Sequence, residues 1–173
     1  RTIFVNIRKV VFFLLSSSAG VALFILASLF GGLPLPFYAT QILWINLVTN
    51  GLQDVALAYE PAEEGITKRS PRDPKEPLFN RFMVKRLALV GLVIAAGTLY
   101  LFYEKLAAGA SQELARTTAL NAVVFFQFFH TLNSRSFTTS VFRMNPLGNP
   151  FLLASLFVAT CAQLAVVYVP DLQ

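Results

Sequence analysis

Five apolar runs, separated by short polar or proline-rich breaks, organise the chain. The first is Val10–Phe30, interrupted only by Ser16, Ser17, Ser18, Gly20 and Ser28. GGLPLP at Gly31–Pro36 ends it, because glycine and proline neither continue a helix nor suit its interior. Phe37–Tyr59 is the second run. A polar loop from Glu60 to Arg81 follows, with prolines at 61, 71, 74 and 77. The remaining runs are Phe82–Tyr103, a segment near Ala119–Leu132, and Pro150–Val169. A helix crosses the hydrocarbon of a bilayer with roughly 20 apolar residues. The pattern therefore predicts an all-α polytopic membrane helix bundle of five transmembrane helices. Lys85 and Arg86 stand close enough to the start of the third run to reach the interface with their charges.

The second run departs from a plain apolar pattern. ILWINLVTNGLQDVALAYEP at Ile42–Pro61 carries Asn46, Thr49, Asn50, Gln53 and Asp54. On a helix these fall at i, i+3, i+4, i+7 and i+8, so all five share one face. Leu47, Val48, Leu52 and Val55 lie opposite, available to lipid or to neighbouring helices. A polar stripe at membrane depth must face protein or water, because lipid offers it no hydrogen bonds. Asp54 is the only acidic residue inside a span by these boundaries, and an intramembrane carboxylate marks a candidate functional site. Gly51 makes local unwinding easier, and freed carbonyls with polar side chains can coordinate an ion, as in the broken helices of transporters. The plainer alternative is that Asn and Thr only join helices by hydrogen bonds; five such residues on one face beside a glycine favour the ion path.

Other polar positions extend the pattern. Gln127, His130 and Thr131 sit at i, i+3 and i+4 of the fourth run. Ser16, Ser17 and Ser18 with Gly20 mark the first, where small residues would let the second span approach closely. The three patches predict one shared cavity between the first, second and fourth spans. His130 reads as a packing residue or a proton-sensitive neighbour rather than a metal ligand, since no second His and no nearby Cys complete a set. Phe125, Phe126, Phe128 and Phe129 read as lipid-facing and packing residues.

Composition agrees with a membrane location. Of the 173 residues 55% are hydrophobic and 13% charged, against about 25% charged in soluble domains, and mean hydropathy is +0.62. Several separate spans cannot be one signal peptide. A chain that begins with Arg1 reads as a piece of something larger. The lone Cys161 permits no internal disulfide. The net charge of +5 is a topology signature: twelve of the fourteen Lys and Arg residues share one side of the five-span arrangement, and only Lys105 and Arg116 lie on the other. That asymmetry makes the amino terminus and the 60–81 loop cytoplasmic. No basic patch alternates with exposed aromatics, so a nucleic-acid partner is not expected.

At these residues the chain resembles the carboxyl-terminal membrane region of type II P-type cation-transporting ATPases, the family of the calcium pump and the sodium–potassium pump. ILWINLVTNG at Ile42–Gly51 is similar to the calcium-pump wording of the sixth family helix. PRDPKEPLF at Pro71–Phe79 matches the proline-rich loop after it. RTIFVNIRKVVFFLLSSS at Arg1–Ser18 looks like the entry to the fifth helix, and TLNSRS at Thr131–Ser136 like the end of the eighth. The resemblance runs in order from Arg1 to about Val169, and implies that the spans are family helices five to nine. It implies that residues 1–173 are the carboxyl-terminal cation-transport domain of an ATP-driven pump working through an aspartyl phosphate. The 60–81 loop would then couple to the phosphorylation domain, with Lys68, Arg69, Arg72 and Lys75 meeting acidic groups there or acting as topology determinants alone.

None of the phosphoryl-transfer chemistry is written in this chain: it has no DKTGT-type motif and no glycine-rich phosphate cradle. The fragment should be catalytically inactive and hold no cofactor, with ATP and magnesium bound elsewhere in the parent. The other partners implied are the bilayer and the remaining transmembrane helices. By the resemblance, the ion-ligand positions are Ser18 and Val21, then Asn46, Thr49 and Asn50, then Gln127. The calcium pumps carry carboxylates where Val21, Asn50 and Gln127 stand. Calcium takes six to eight oxygens, several from carboxylates, so the expected cation is monovalent rather than calcium, with Asp54 as the one fixed, titratable charge about 6 Å beyond Asn50 along the axis. The candidate cation path is Ser18, Asn46, Thr49, Asn50, Asp54 and Gln127. A passive channel or secondary carrier is a second class, disfavoured by the lack of self-similarity between the halves. A non-transporting membrane scaffold is a third.

Overall fold

The computed structural model describes residues 2–62 and 78–169. Most of the 60–81 loop, including Lys68, Arg69, Arg72 and Lys75, lies outside the described residues. Five helical rods make up the fold. The first is α1 (Thr2–Phe30). The second is built from α2 (Ala39–Ile45), a π-helical turn (Asn46–Gly51) and α3 (Leu52–Ala58) in direct succession. The others are α4 (Arg81–Ala107), α5 (Gln112–Ser134) and α6 (Pro150–Tyr168).

At 1.5 Å per residue, α1 is about 44 Å long and extends beyond a hydrocarbon layer of about 30 Å. Helices α1, α4 and α6 are long and apolar enough to cross a membrane. The second rod spans the same thickness, but its π turn divides it into short helices. Helix α5 is long enough, yet carries Arg116, Asn121, Gln127 and His130 within it.

Each end has a local cause. At the end of α1, Gly32 takes φ +70° while the Leu33 amide donates to the Ser28 carbonyl at 2.9 Å. Gly109 does the same after α4, with φ +78°. Such left-handed residues close helix ends by satisfying carbonyls that the helix leaves free. Asn80, Ser111 and Asn149 cap the amino ends of α4, α5 and α6 with side-chain oxygens.

Helices α1, α5 and the second rod form the centre, with α4 across α1 and α5 and α6 against the second rod. Phe24, Phe37, Phe102, Ala119 and Val123 belong to the main core, and Val48, Val124, Phe128 and Ala159 to a second cluster. The closest helix crossing differs from the one expected. Gly20 meets Gly91 and Ile94 of α4 rather than the second rod. Gly97 likewise makes room for the Phe126 ring. Phe128 is buried while Phe125 and Phe129 are exposed, which is the mixed packing and lipid-facing role read from the sequence.

The second rod is held at both ends by side chains of other helices. Near its start, Arg116 donates from Nε to the Leu35 carbonyl at 2.9 Å and from Nη1 to the Tyr38 hydroxyl at 2.7 Å. Its guanidinium also lies 4.3 Å from the Tyr38 ring centroid. At the other end Asn6 donates to the carbonyls of Ala58 and Glu60 at 3.0 and 2.7 Å. Arg135 reaches the same end through Glu60. Arg86 caps α5 by donating to the Asn133 carbonyl at 2.8 Å.

Candidate functional site

The polar stripe straddles an edge of the packed bundle. Thr49 and Gln53 are fully buried, whereas Asn50 and Asp54 are half-buried and Asn46 is exposed. Five residues that share a helical face need not share an environment, because a face about a third of the circumference wide can reach from a helix contact to open surface. Of the opposite residues, Leu47 and Val55 are exposed and Val48 is buried in the second core cluster.

The predicted unwinding at Gly51 takes another form. The backbone stays helical there, with φ −62° and ψ −46°, and widens into the π turn over Asn46–Gly51. A single π turn within an α-helix recurs at functional sites, since it displaces the regular hydrogen-bond ladder without opening the chain. Within it the Thr49 hydroxyl donates to the Ile45 carbonyl at 2.5 Å, and Asn50 Nδ2 donates to Asn46 Oδ1 at 2.8 Å. Those contacts leave Asn50 Oδ1 and Asp54 Oδ1 buried without a hydrogen-bond partner.

The three patches meet as a buried, hydrogen-bonded polar layer rather than around the expected shared cavity, because the polar side chains fill the space between their helices. A cavity found among the described residues lies instead between α1 and α4, lined by Ala27, Leu33, Leu99 and Tyr103. The Thr131 hydroxyl of α5 donates to the Gln127 carbonyl at 2.7 Å and lies in hydrogen-bonding contact with the Gln53 side-chain amide of the second rod. Ser16 of α1 places its hydroxyl 2.5 Å from His130 Nε2. That hydroxyl also lies 2.6 Å from the Phe12 carbonyl, to which it can donate. His130 stacks on Phe13, centroids 5.3 Å apart, and meets Phe12 edge-on. It packs against both rings, one of the two roles that the sequence left open. Among the described residues no group of three or more His, Cys, Asp or Glu is placed to hold a metal.

Among the described residues several buried groups in this layer have no hydrogen-bond partner: Gln53 Nε2, Gln127 Oε1, His130 Nδ1 and the Ser17 hydroxyl. Unsatisfied buried polar atoms are rare in native proteins and call for a water, an ion or a functional cause. Of the six candidate ligands, Thr49 and Gln127 are buried, Asn50 and Asp54 are half-buried, and Asn46 and Ser18 are exposed. Asn46 and Asn50 are bonded to each other. In the serine run, Ser16 and Ser17 turn inward and Ser18 outward.

Sequence reasoning missed Glu60. It was read as the first residue of the polar loop, yet its carboxylate is buried against Arg135 at 2.8 Å, with both side chains 4% exposed. Its signal was present in Glu60 and Arg135 at the same end of their spans, a pairing that no local spacing reveals.

Comparison with known proteins completes the description. The family described as "Cation transporting ATPase, C-terminus" matches residues 34–173. The "Probable cation-transporting ATPase F" of Mycobacterium tuberculosis is 38% identical over 170 residues, covering 98% of this chain and 19% of that protein. The "Calcium-transporting ATPase" of Bacillus subtilis is 37% identical over 180 residues, 100% of this chain and 19% of its own length. The mouse "Calcium-transporting ATPase type 2C member 2" is 36% identical over 172 residues, 99% and 18% respectively. The chain thus spans about a fifth of the length of these relatives. A polar, π-turned rod inside an apolar helical bundle, matched over nearly all of this chain, places it in one family: it belongs to the cation-transporting ATPases, as their carboxyl-terminal membrane region.

Proposed function

We propose that this chain is the ion path of an ATP-driven cation pump, moving a cation across the membrane in step with phosphorylation of an aspartate in a domain outside it. One observation carries the reading: Thr49 and Asn50 in the π turn and Gln53 and Asp54 just after it lie along one membrane rod, and among the described residues oxygens of Asn50, Asp54 and nearby Gln127 are buried without partners. Asn and Gln carbonyls and the Thr49 hydroxyl would replace part of the ion's hydration shell, and Asp54 would supply charge. Ser18 and Asn46, exposed at the edge, would face the remaining transmembrane helices that complete the ligand set. Residues 1–173 act as the transport domain, with the amino terminus and the 60–81 loop cytoplasmic and the loop meeting the phosphorylation domain. ATP and magnesium would bind elsewhere in the parent protein.

The ligand set favours a monovalent cation. Val21 offers no oxygen, and Asn50 and Gln127 no charge, so the path is short of the carboxylates that calcium requires. A calcium reading has one specific support, the names of the Bacillus subtilis and mouse relatives. ATP hydrolysis by the full-length protein across a panel of cations separates the two. The strongest stimulation by a monovalent ion is expected; the strongest by micromolar calcium overturns that choice. Asp54→Asn in the same protein should alter cation dependence, and an unchanged response removes Asp54 from the path.

A further inference from the structure

The end of α3 and the two residues after it are held by side chains from α1, α5 and α6. Glu60 accepts from Arg135 Nε at 2.8 Å through Oε1 and from Asn149 Nδ2 at 2.7 Å through Oε2. Arg135 is the residue that ends α5 and Asn149 the one that caps α6. Asn149 also donates to the Ala56 carbonyl at 2.9 Å, and Asn6 of α1 to the carbonyls of Ala58 and Glu60. The Ala56 and Ala58 carbonyls at the end of α3, and the Glu60 carbonyl two residues beyond it, thus accept from asparagine side chains of α1 and α6, one of the ways in which carbonyls at a helix end are satisfied.

Stability alone is a poor reason for this arrangement. A buried ion pair loses in desolvation about what it gains in attraction, and apolar replacements of similar volume are often as stable or more so. What the pair supplies is geometry, because charged hydrogen bonds of fixed direction hold a helix end at one height and one rotation. Glu60 stands two residues past Ala58, the last residue of α3, and six beyond Asp54, with no glycine or proline between them to absorb a displacement.

We infer that Glu60 is a positioning residue: its buried bonds to Arg135 and Asn149 set the height and rotation of α3, and through α3 the placement of Gln53 and Asp54 in the ion path. The inference rests on the transport reading above for its functional consequence, but not for its geometry.

Two readouts on the full-length protein test it. The first is the concentration of sodium, and separately of calcium, giving half-maximal ATP hydrolysis. Glu60→Gln should raise it about tenfold, the scale seen when residues that orient ion ligands are removed, and Glu60→Asp should recover part of the loss. A change below about twofold in a folded variant overturns the proposal. The apolar pair Glu60→Leu with Arg135→Leu separates positioning from stability. It should restore thermal stability while the cation response stays displaced, and recovery of both overturns the proposal.

The second readout needs no transport. Cysteines at Gln53 and Thr131, which hydrogen-bond each other, are bridged by a short bifunctional thiol reagent in a background lacking other cysteines. Adding Glu60→Gln should lower the yield severalfold, and an unchanged yield overturns the proposal. Wild-type protein unresponsive to every cation of the panel would refute the pump reading, leaving the cross-link to decide this one. Failure of both Glu60→Gln and the apolar pair to fold makes the cluster a folding requirement only, and overturns it too.

Discussion

Replacing Gly20 by alanine tests how α1 and α4 are packed. A Cβ at Gly20 would stand 2.8 Å from Ile94 Cβ, 3.0 Å from its Cγ2 and 3.2 Å from the Gly91 carbonyl oxygen. Carbon atoms prefer about 3.5–4.0 Å, so the two helices must part by roughly 0.7 Å or more. No rotamer change relieves the contact, because Ile94 Cβ is fixed to its backbone. Overpacking of this kind costs about 1–3 kcal/mol, while alanine regains about 1 kcal/mol of helix propensity over glycine. The net expectation is a loss of up to about 2 kcal/mol.

Two other glycines calibrate the effect. At Gly97 an added Cβ would fall 2.5 Å from Phe126 Cζ, the tip of a side chain that can turn away, so Gly97→Ala should cost less. At Gly51 it would meet only the Asn46 carbonyl oxygen, at 3.6 Å, so Gly51→Ala should be neutral or stabilising. Thermal midpoints of the detergent-solubilised protein, read as the fraction remaining monodisperse after heating, should fall in the order Gly51→Ala, Gly97→Ala, Gly20→Ala. A Gly20→Ala protein as stable as Gly51→Ala would refute the close crossing.

Two further outcomes follow from the polar contacts. Thr131→Val and Gln53→Leu should each cost about 1–3 kcal/mol by stranding a buried partner, and the double variant should cost less than their sum in a double-mutant cycle; strict additivity would contradict the contact. Asn149→Ala should cost about 2 kcal/mol through loss of the α6 cap and of its bonds to Ala56 and Glu60. Asn149→Asp keeps a capping oxygen but sets a second carboxylate against Glu60, so it should be no more stable than Asn149→Ala, and a higher thermal midpoint would contradict the arrangement.

Sequence alone determined the helical class, the breaks and the existence of the polar stripe, because burial in lipid forces long apolar helices and makes each polar exception visible. The GGLPLP break appears where glycine and proline require it. α6 begins at Pro150 as expected, and α1 extends back to Thr2, since polar residues beyond an apolar run can continue a helix at no penalty in water. Phe128 and Phe129 show the limit, being neighbours of one type with opposite burial.

Tertiary structure decided what spacing cannot encode. Helical periodicity places Thr49, Gln53, Asn50 and Asp54 on one face, but only the positions of α1 and α5 determine which edge of that face is covered. The same holds for Gly20, whose lack of a side chain signals a close approach without naming the helix that makes it. A π turn differs from an α turn by one hydrogen-bond step, too small a difference in local preference for Asn46–Gly51 to announce it. The Glu60–Arg135 pair joins residues 75 positions apart, and long-range pairing is fixed by the packing of whole helices rather than by the residues that happen to meet.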